Sequence, residues 1–153
     1  MRQYSDVALI QNKKATFNYE ILEKFEAGLV LHGFEVKSLR AGRGSLEGSR
    51  ALVRGGEAFL VGASIPAWQV ANAPKDYDPE RPRKLLLNPK EISQLLAAEG
   101  EKGLTVVPVS VYNKGGKLKI ELAIGCGKKL RDKRQTIKKR DTERDMRRSL
   151  KNN

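Results

Sequence analysis

The sequence predicts a mainly β protein, built as a small closed antiparallel barrel with two or three helices and a basic C-terminal tail. Three observations support this class. Alternating apolar residues mark a long first strand over residues 19–32. Two later pairs of alternating segments flank glycine-rich turns at 55–56 and 113–116. Residues 125–153 carry 12 Lys/Arg and 4 Asp/Glu, and so hold +8 of the net charge of +12.

The predicted first strand is long and contains a glycine. One face of it is expected to hold Tyr19, Ile21, Phe25, Ala27, Leu29 and Leu31, with Glu23 breaking the row. Gly28 lies within the strand, where a glycine often marks a bulge or a bend. A long, bent first strand suits a closed barrel, because it crosses from one sheet to the other. Residues 1–14 are interpreted as an arm, and a solvated terminus is the alternative.

Two helices are predicted. Residues 34–40 form a short one, whose inward residues are Phe34, Val36 and Leu39. The second has a strong start, because Asn88 is a preferred N-cap, proline follows it, and Glu91 completes a capping box. This helix extends to about residue 99, and its inward residues are Ile92, Leu95 and Leu96.

Two hairpins and one long loop complete the body. Residues 50–53 and 57–62 form the first hairpin, and 104–112 and 117–124 form the second. The last strand alternates, and its core-facing residues are Leu118, Ile120, Leu122 and Ile124. The loop at 65–84 contains four prolines, together with Trp68 and Tyr77. These two aromatic residues either stack on bases or pin the loop to the body.

The predicted boundary between body and tail lies at residue 124. Residues 1–124 form the barrel and 125–153 the tail, in which the four apolar residues make no continuous helical stripe. The tail is therefore expected to meet a polyanion rather than to pack on the core. Among barrels of this size the oligonucleotide-binding (OB) type is the economical choice that also matches the charge. A split βα sheet is the alternative.

Composition restricts the function classes. A pI near 10.0 favours a nucleic-acid partner. No apolar run approaches the length that spans a bilayer, and the first residues lack the apolar region of a signal peptide, so no membrane role is expected. Cys126 is the single cysteine, which fits a reducing cytoplasm. With one cysteine and one histidine, no zinc site and no cofactor are expected.

The sequence does not predict an active site. His32 stands alone, and Cys126 lies between two glycines. Glu23 and Glu26 are expected on opposite faces of the first strand, so they do not form an acid and base pair. The glycine-rich segment 42–48 matches neither phosphate-binding loop pattern and is interpreted as an ordinary turn. The chain is expected not to be an enzyme.

Four motifs in order resemble one known family. They are EVKSLRAG (35–42), GEAFL (56–60), RKLLLN (83–88) and GKKLRDKR (127–134). Together they are similar to the SsrA-binding proteins, or small protein B, over about residues 12–140. The resemblance implies an OB barrel without catalytic activity. It also implies a monomer that binds the tRNA-like domain of transfer-messenger RNA and enters stalled ribosomes with elongation factor Tu.

The resemblance also implies two sets of binding residues. The RNA-binding residues of the body are expected to be Asn12, Lys13, Lys14, Glu26, Leu86 and Asn88. The tail is expected to occupy the empty mRNA channel near the decoding centre, where it contacts 16S rRNA through Lys128, Lys129, Asp132, Lys133, Arg134, Ile137, Lys138 and Arg140. From the residues alone, spacing favours Glu26 as a solvated strand residue. Core packing is the alternative for Leu86, and Asn88 could cap the helix, bind RNA or do both.

Three positions depart from the family pattern. Residues 125–127 are richer in glycine than usual, which implies a looser hinge. Arg131 stands where an aromatic residue or a histidine is common, and residues 141–142 lack the frequent aromatic residue. The tail is expected to be disordered when free and helical when bound, because oppositely charged residues three and four apart, such as Glu143 and Arg147, support a helix.

Overall fold

The computed structural model describes residues 8–69, 71 and 73–128. Its elements are, in chain order, β1 (Ala8–Gln11), α1 (Lys13–Asn18), β2 (Tyr19–Leu29), α2 (Gly33–Arg40), β3 (Arg50–Arg54), β4 (Glu57–Val61), β5 (Arg83–Leu86), α3 (Pro89–Gly100), β6 (Leu104–Lys114) and β7 (Lys117–Gly127). The mainly β composition with three helices agrees with the predicted class.

Six strands close into a ring in the order β3, β4, β5, β2, β7 and β6, and every neighbouring pair is antiparallel. The ring closes where Ala51 of β3 pairs with Val106 of β6. Further along the same edge of β6, Gln11 of β1 pairs with Ser110. Two strands therefore share one edge of β6, and the predicted closed antiparallel barrel is confirmed.

The barrel interior is filled by the residues that alternation predicts for the last strand. Leu118, Ile120, Leu122 and Ile124 all lie in the core. Each such side chain contributes roughly 1.5–3 kcal/mol when it is removed from water. A second, smaller cluster lies outside the ring, where Ala15 of α1 packs with Val107 and Ala123. This cluster fixes α1 against the strands β6 and β7.

The predicted face of β2 is partly wrong. A β-bulge between Ile21 and Glu23 shifts the pairing with β7 by one residue, and a shift of one residue reverses which face the side chains occupy. Tyr19 and Ile21 therefore pack with the cluster under α1, whereas Phe25 lies in the barrel core. The bulge lies several residues before the glycine that was expected to mark it.

Gly28 has a different role from the predicted bulge. It pairs with Lys119 of β7 and also with Leu86 of β5. A Cβ atom at Gly28 would lie 3.2 Å from the Cβ of Leu86, which is a tight contact. Because Gly28 has no side chain, Leu86 of β5 can lie close against β2 at the residue where β2 is paired on both of its edges.

Both ends of the body differ from the prediction. Residues 8–14, interpreted as an arm, instead form β1 and the start of α1, while residues 1–7 lie outside the described residues. The last strand continues to Gly127 rather than ending at Ile124. A Cβ atom at Gly125 would lie 2.8 Å from the Cβ of Tyr19. Gly125 is therefore small because two strands pack closely there, and it is not part of a hinge.

Three other elements differ from the predictions. The strand β5 was not predicted, because it has only four residues and follows a loop with four prolines. The first strand ends at Leu29, and His32 is the N-cap of α2. Leu96 was expected to face inward, but it is 53% exposed.

The predicted capping box of α3 is confirmed, since Asn88 accepts a hydrogen bond from the Glu91 amide at 2.8 Å.

A buried ion pair holds the loop at 65–82 against α2. Glu35 and Arg83 are both fully buried, and the Arg83 Nη2 atom lies 2.7 Å from Glu35 Oε2. Arg81 also donates to Glu35, and the Tyr77 hydroxyl donates to the same carboxylate at 2.8 Å. Tyr77 therefore pins the loop. Trp68 is held as well, since its amide donates to the Phe34 carbonyl and the Arg43 guanidinium lies 4.9 Å from its ring.

Candidate nucleic-acid interface

One surface of the barrel, which we call the outer face, is formed by β5, β2, β7 and β6. Its side chains follow the period of two of each strand and point away from the core. The face consists of Lys24, Glu26, Gly28, Lys84, Leu86, Tyr112, Lys114, Lys117, Lys119 and Glu121. Five lysines against two glutamates make this surface basic, as a site for a polyanion requires.

Leu86 is the exposed apolar residue of the outer face. It is 53% exposed and lies over Gly28, with which it pairs. Beside it is a cleft of about 300 Å³. The apolar residues lining this cleft include Leu29, Leu31, Val36 and Leu118, and its cations are Arg40, Lys117 and Lys119. An apolar surface among cations suits an unpaired base together with its phosphates. The alternative interpretation, that Leu86 packs in the core, is wrong because its side chain is exposed.

Glu26 lies near the middle of the outer face and is hydrogen-bonded there. The Tyr112 hydroxyl donates to Glu26 Oε2 at 2.5 Å. The Lys114 ammonium donates to both carboxylate oxygens, at 3.2 and 3.1 Å. The hydrogen bond from Tyr112 is the main cause that lowers the pKa of Glu26, and Lys114 and Lys119 lower it further. Glu26 is therefore an ionised acceptor within a cationic surface.

Asn88 lies at the end of the outer face, two residues after Leu86, and is the N-cap of α3. Its side-chain oxygen caps the helix, and its backbone amide donates the return hydrogen bond to the Glu91 carboxylate at 3.2 Å. The residue is exposed, and among the described residues its Nδ2 group has no acceptor. Asn88 can thus cap the helix with its oxygen and still present an amide donor to a ligand.

Three residues near the start of α1 were expected to bind RNA, and the structure places them in three different surroundings. Asn12 is buried, and its Nδ2 group donates to the Pro108 carbonyl at 3.0 Å and to the Leu46 carbonyl at 3.3 Å. Lys13 is exposed beside a cleft that also includes Glu121 of the outer face. Lys14 forms an ion pair with Glu47 at 2.5 Å, on the other side of α1. Of the three, Lys13 adjoins the outer face.

Asn12 braces the barrel, so its replacement is expected to affect folding. Asn12→Ala leaves the carbonyls of Leu46 and Pro108 without this donor, and we expect the free energy of unfolding to fall by about 1–3 kcal/mol. Urea denaturation followed by circular dichroism measures this. Lys13→Ala is the matched control on the exposed side and should change the free energy by less than about 0.5 kcal/mol. Equal effects of the two substitutions would contradict the bracing role.

The described part of the tail is short. Lys128, the first of the tail residues predicted to contact the ribosome, donates its amide to the Asn18 carbonyl at 2.9 Å, so it is joined to the end of α1. The other predicted tail residues, Lys129, Asp132, Lys133, Arg134, Ile137, Lys138 and Arg140, lie outside the described residues. The tail thus leaves the barrel next to α1, at the opposite end of β7 from Leu86.

Sequence reasoning missed Tyr112 and Lys114, although a signal for them existed. The Gly115-Gly116 turn fixes the hairpin register, so that Lys114 pairs with Lys117 and Tyr112 with Lys119. Because the predicted alternation of the last strand turns Leu118 and Ile120 inward, it turns Lys117 and Lys119 outward. The residues opposite them on β6 therefore share that face, and extension of the strand through 113–114 would have placed both on it.

Two structural features are absent from the part of the chain that is described. Within residues 8–69, 71 and 73–128, no three His, Cys, Asp or Glu residues are arranged to hold a metal ion. None of the helices in these ranges has both the length and the apolar character needed to cross a bilayer.

Comparisons with known proteins identify the family. The family described as SmpB protein matches residues 9–152. The SsrA-binding protein of Oleidesulfovibrio alaskensis is 51% identical over 150 residues, which cover 97% of this chain and 96% of that one. The SsrA-binding protein of Gloeothece citriformis is 47% identical over 143 residues, covering 94% and 92%.

A solved structure gives the same result for the fold. It is described as "tmRNA-SmpB: a journey to the center of the bacterial ribosome", and one of its chains is 41% identical to this one. The superposition has a TM-score of 0.67 and covers 83% of this chain and 92% of that chain. Because the sequence family extends over almost the whole chain and the barrel superimposes, this chain belongs to the SmpB family.

Proposed function

We propose that this chain is an RNA-binding adaptor of trans-translation. In this role it binds the tRNA-like domain of transfer-messenger RNA and delivers it to stalled ribosomes, without catalysing a reaction. The observation that carries the proposal is the outer face, where exposed Leu86 and ionised Glu26 lie among lysines. The relatives named SsrA-binding protein and the SmpB structure described with transfer-messenger RNA and the ribosome support the identity of the partner.

The outer face supports specific recognition as well as charge attraction. Lysines attract any RNA, and that attraction weakens steeply with salt. A carboxylate contributes nothing to phosphate binding, but it accepts hydrogen bonds from base or ribose donors. Leu86 offers a surface for an unstacked base, and Asn88 offers an amide donor. We assign Glu26, Leu86 and Asn88 to specific recognition and Lys13 to the adjoining phosphates. Lys14 contacts RNA only if its ion pair with Glu47 opens.

The tail completes the proposed function. Its eight residues named above are proposed to occupy the empty mRNA channel and to contact 16S rRNA there, with the tail helical in that bound state. The adaptor acts as a monomer in the cytoplasm and arrives with elongation factor Tu. The high positive charge of residues 125–153 supports this assignment, because rRNA lines the channel with phosphates.

Replacement of Glu26 tests the proposed recognition. Glu26→Gln keeps the size of the side chain but removes the charged acceptor, and we expect affinity for the tRNA-like domain to fall about tenfold, the cost of one charge-assisted hydrogen bond. Affinity for bulk tRNA should stay equal or rise, because the surface becomes more positive. Competition binding at physiological salt measures both, and the melting temperature should change little because Glu26 is exposed.

The matched control is Glu101→Gln, which removes one negative charge from an exposed residue at the C-cap of α3. It should leave the preference for transfer-messenger RNA unchanged. If the wild-type protein shows no preference over bulk tRNA, the chain is a general RNA-binding barrel instead. If Glu26→Gln keeps the full preference, Glu26 is not part of the recognition surface.

A further inference from the structure

The Glu26 carboxylate is held by two residues of β6 that lie across β7 from it. Glu26 is on β2 and pairs with Glu121 of β7, while Tyr112 and Lys114 are on β6, beyond that strand. Both side chains therefore extend over β7 to reach the same carboxylate. The arrangement connects three neighbouring strands through one acidic group on a basic surface.

These contacts occupy most of the acceptor capacity of Glu26. A carboxylate has two oxygens and about four lone-pair sites. Oε2 accepts from the Tyr112 hydroxyl and from Lys114, and Oε1 accepts from Lys114. About one site, on Oε1, stays available to a ligand. Since 40% of the Glu26 side chain is exposed, this free site is accessible from solvent.

The contacts contribute little to folding. The side chain of Lys114 is 52% exposed and that of Glu26 is 40% exposed. Ion pairs at such exposed positions stabilise proteins weakly, because solvent screens them and two long side chains lose freedom. The cluster of Glu26, Tyr112 and Lys114 therefore adds little to the stability of the fold, which fits a role in binding instead. Because the Glu26 carboxylate is already ordered before RNA binds, no entropy is lost in ordering it in the complex.

We propose that Tyr112 and Lys114 are positioning residues for RNA recognition, which hold Glu26 so that its one free acceptor on Oε1 receives a single donor from the RNA. The donor class is an exocyclic amino group of an unpaired base or a ribose 2′-hydroxyl. A bidentate donor, such as the paired N–H groups of a guanine edge, does not fit, because the second oxygen is already occupied. This inference rests on the proposed function of the outer face.

The experiment measures binding of the full chain to the tRNA-like domain and to bulk tRNA at physiological salt. Tyr112→Phe removes only the hydroxyl, and Lys114→Met removes only the ammonium and its hydrogen bonds. We expect each to reduce the preference for the tRNA-like domain about fivefold to tenfold, close to the loss of one hydrogen bond to a charged group. Neither should reduce the preference further when Glu26→Gln is already present, because their effect passes through that carboxylate.

Lys102→Met is the charge-matched comparison, since Lys102 is exposed in the turn between α3 and β6 and lies outside the outer face. It should weaken both RNAs by a similar factor and leave the preference unchanged. Lys114→Arg should restore much of the preference, because a guanidinium can donate to both carboxylate oxygens. Melting curves of all variants identify any loss that comes from unfolding.

The outcomes separate this inference from the proposed function. Loss of preference in Tyr112→Phe and Lys114→Met, with no further loss in the double variants, supports positioning. Loss in Glu26→Gln with full preference in both β6 variants overturns the positioning role but keeps the proposed recognition site. Full preference in Glu26→Gln itself overturns both. An additive loss in the double variants would also overturn positioning, because Tyr112 and Lys114 would then act on RNA independently of Glu26.

Discussion

Glu35→Gln is expected to lower the free energy of unfolding by about 3–5 kcal/mol, the usual cost of removing one partner from a buried ion pair. Arg83 has no exposed surface, and its guanidinium would stay buried without its carboxylate. Arg81 would lose the same partner. Urea denaturation followed by circular dichroism at pH 7 measures the loss, and increased trypsin cleavage within residues 65–82 would show where the structure opens.

The same residue predicts a dependence of stability on pH. Burial alone would raise the pKa of Glu35, but hydrogen bonds from Arg81, the His32 amide, Arg83 and Tyr77 outweigh it and lower the pKa from 4.5 to about 2. A lowered pKa stabilises the fold fully above the unfolded value and loses that stabilisation as the pH falls toward the folded value. The contribution, about 3 kcal/mol, should therefore disappear between about pH 4.5 and 2.

Glu57→Gln is the control for both measurements. Glu57 pairs with Lys84 at 3.0 Å, but both side chains are about half exposed, so its replacement should cost less than about 1 kcal/mol. The difference between the wild-type protein and Glu35→Gln should shrink as the pH is lowered, because the wild-type carboxylate becomes neutral as well. A cost below about 1 kcal/mol for Glu35→Gln, or a difference independent of pH, would contradict the account of the ion pair.

Removal of residues 129–153 is expected to abolish rescue of stalled ribosomes while binding to the tRNA-like domain persists. This truncation keeps β7 and the bond from the Lys128 amide to Asn18. It removes 11 Lys/Arg and 4 Asp/Glu, so nonspecific RNA binding should weaken and its salt dependence should become less steep. Specific binding should fall by less than about tenfold, because the truncation leaves every residue of the outer face in place.

Two assays measure this division. Peptide tagging on a stalled ribosome measures rescue, and competition binding measures recognition of the tRNA-like domain. A variant with the tail charges kept in number but in shuffled order is the matched control, and it should bind RNA with a salt dependence like that of the intact chain yet fail in rescue. Full loss of specific binding on truncation would contradict the division between body and tail. Normal rescue by the shuffled tail would contradict the contacts proposed for individual tail residues.

The parts of the fold that the sequence predicts are those governed by local rules. The alternation from Leu118 to Ile124 and the capping box at Asn88 each depend on neighbouring residues, and both agree with the structure. The bulge after Ile21 depends on how β2 pairs with β7, and the residues around Ile21 do not predict that pairing. For the same reason the side-chain alternation placed Tyr19 on the wrong face.

The residues of the candidate site divide in the same way. The period of two places Glu26 on the outward face of the predicted first strand, whereas Leu86 lies on β5, a strand that was not predicted. Only the resemblance had named either of them as a binding residue. Asn12 is buried, because its acceptors are carbonyls 34 and 96 residues away in the sequence. The partnership of Glu26 with Tyr112 likewise joins residues 86 apart. Long-range contacts of this kind require the closed barrel before they can be recognised.

The strand β7 also sets a distance. Its residue Lys119 lies beside Gly28 at one end, and Gly127 lies beside Tyr19 at the other, where the tail begins. Eight residues of extended strand separate them by about 26 Å. Both edges of β7 are paired, and deletion of one residue would reverse its faces. The strand β7 therefore fixes the spacing between the outer face and the point where the tail leaves the barrel.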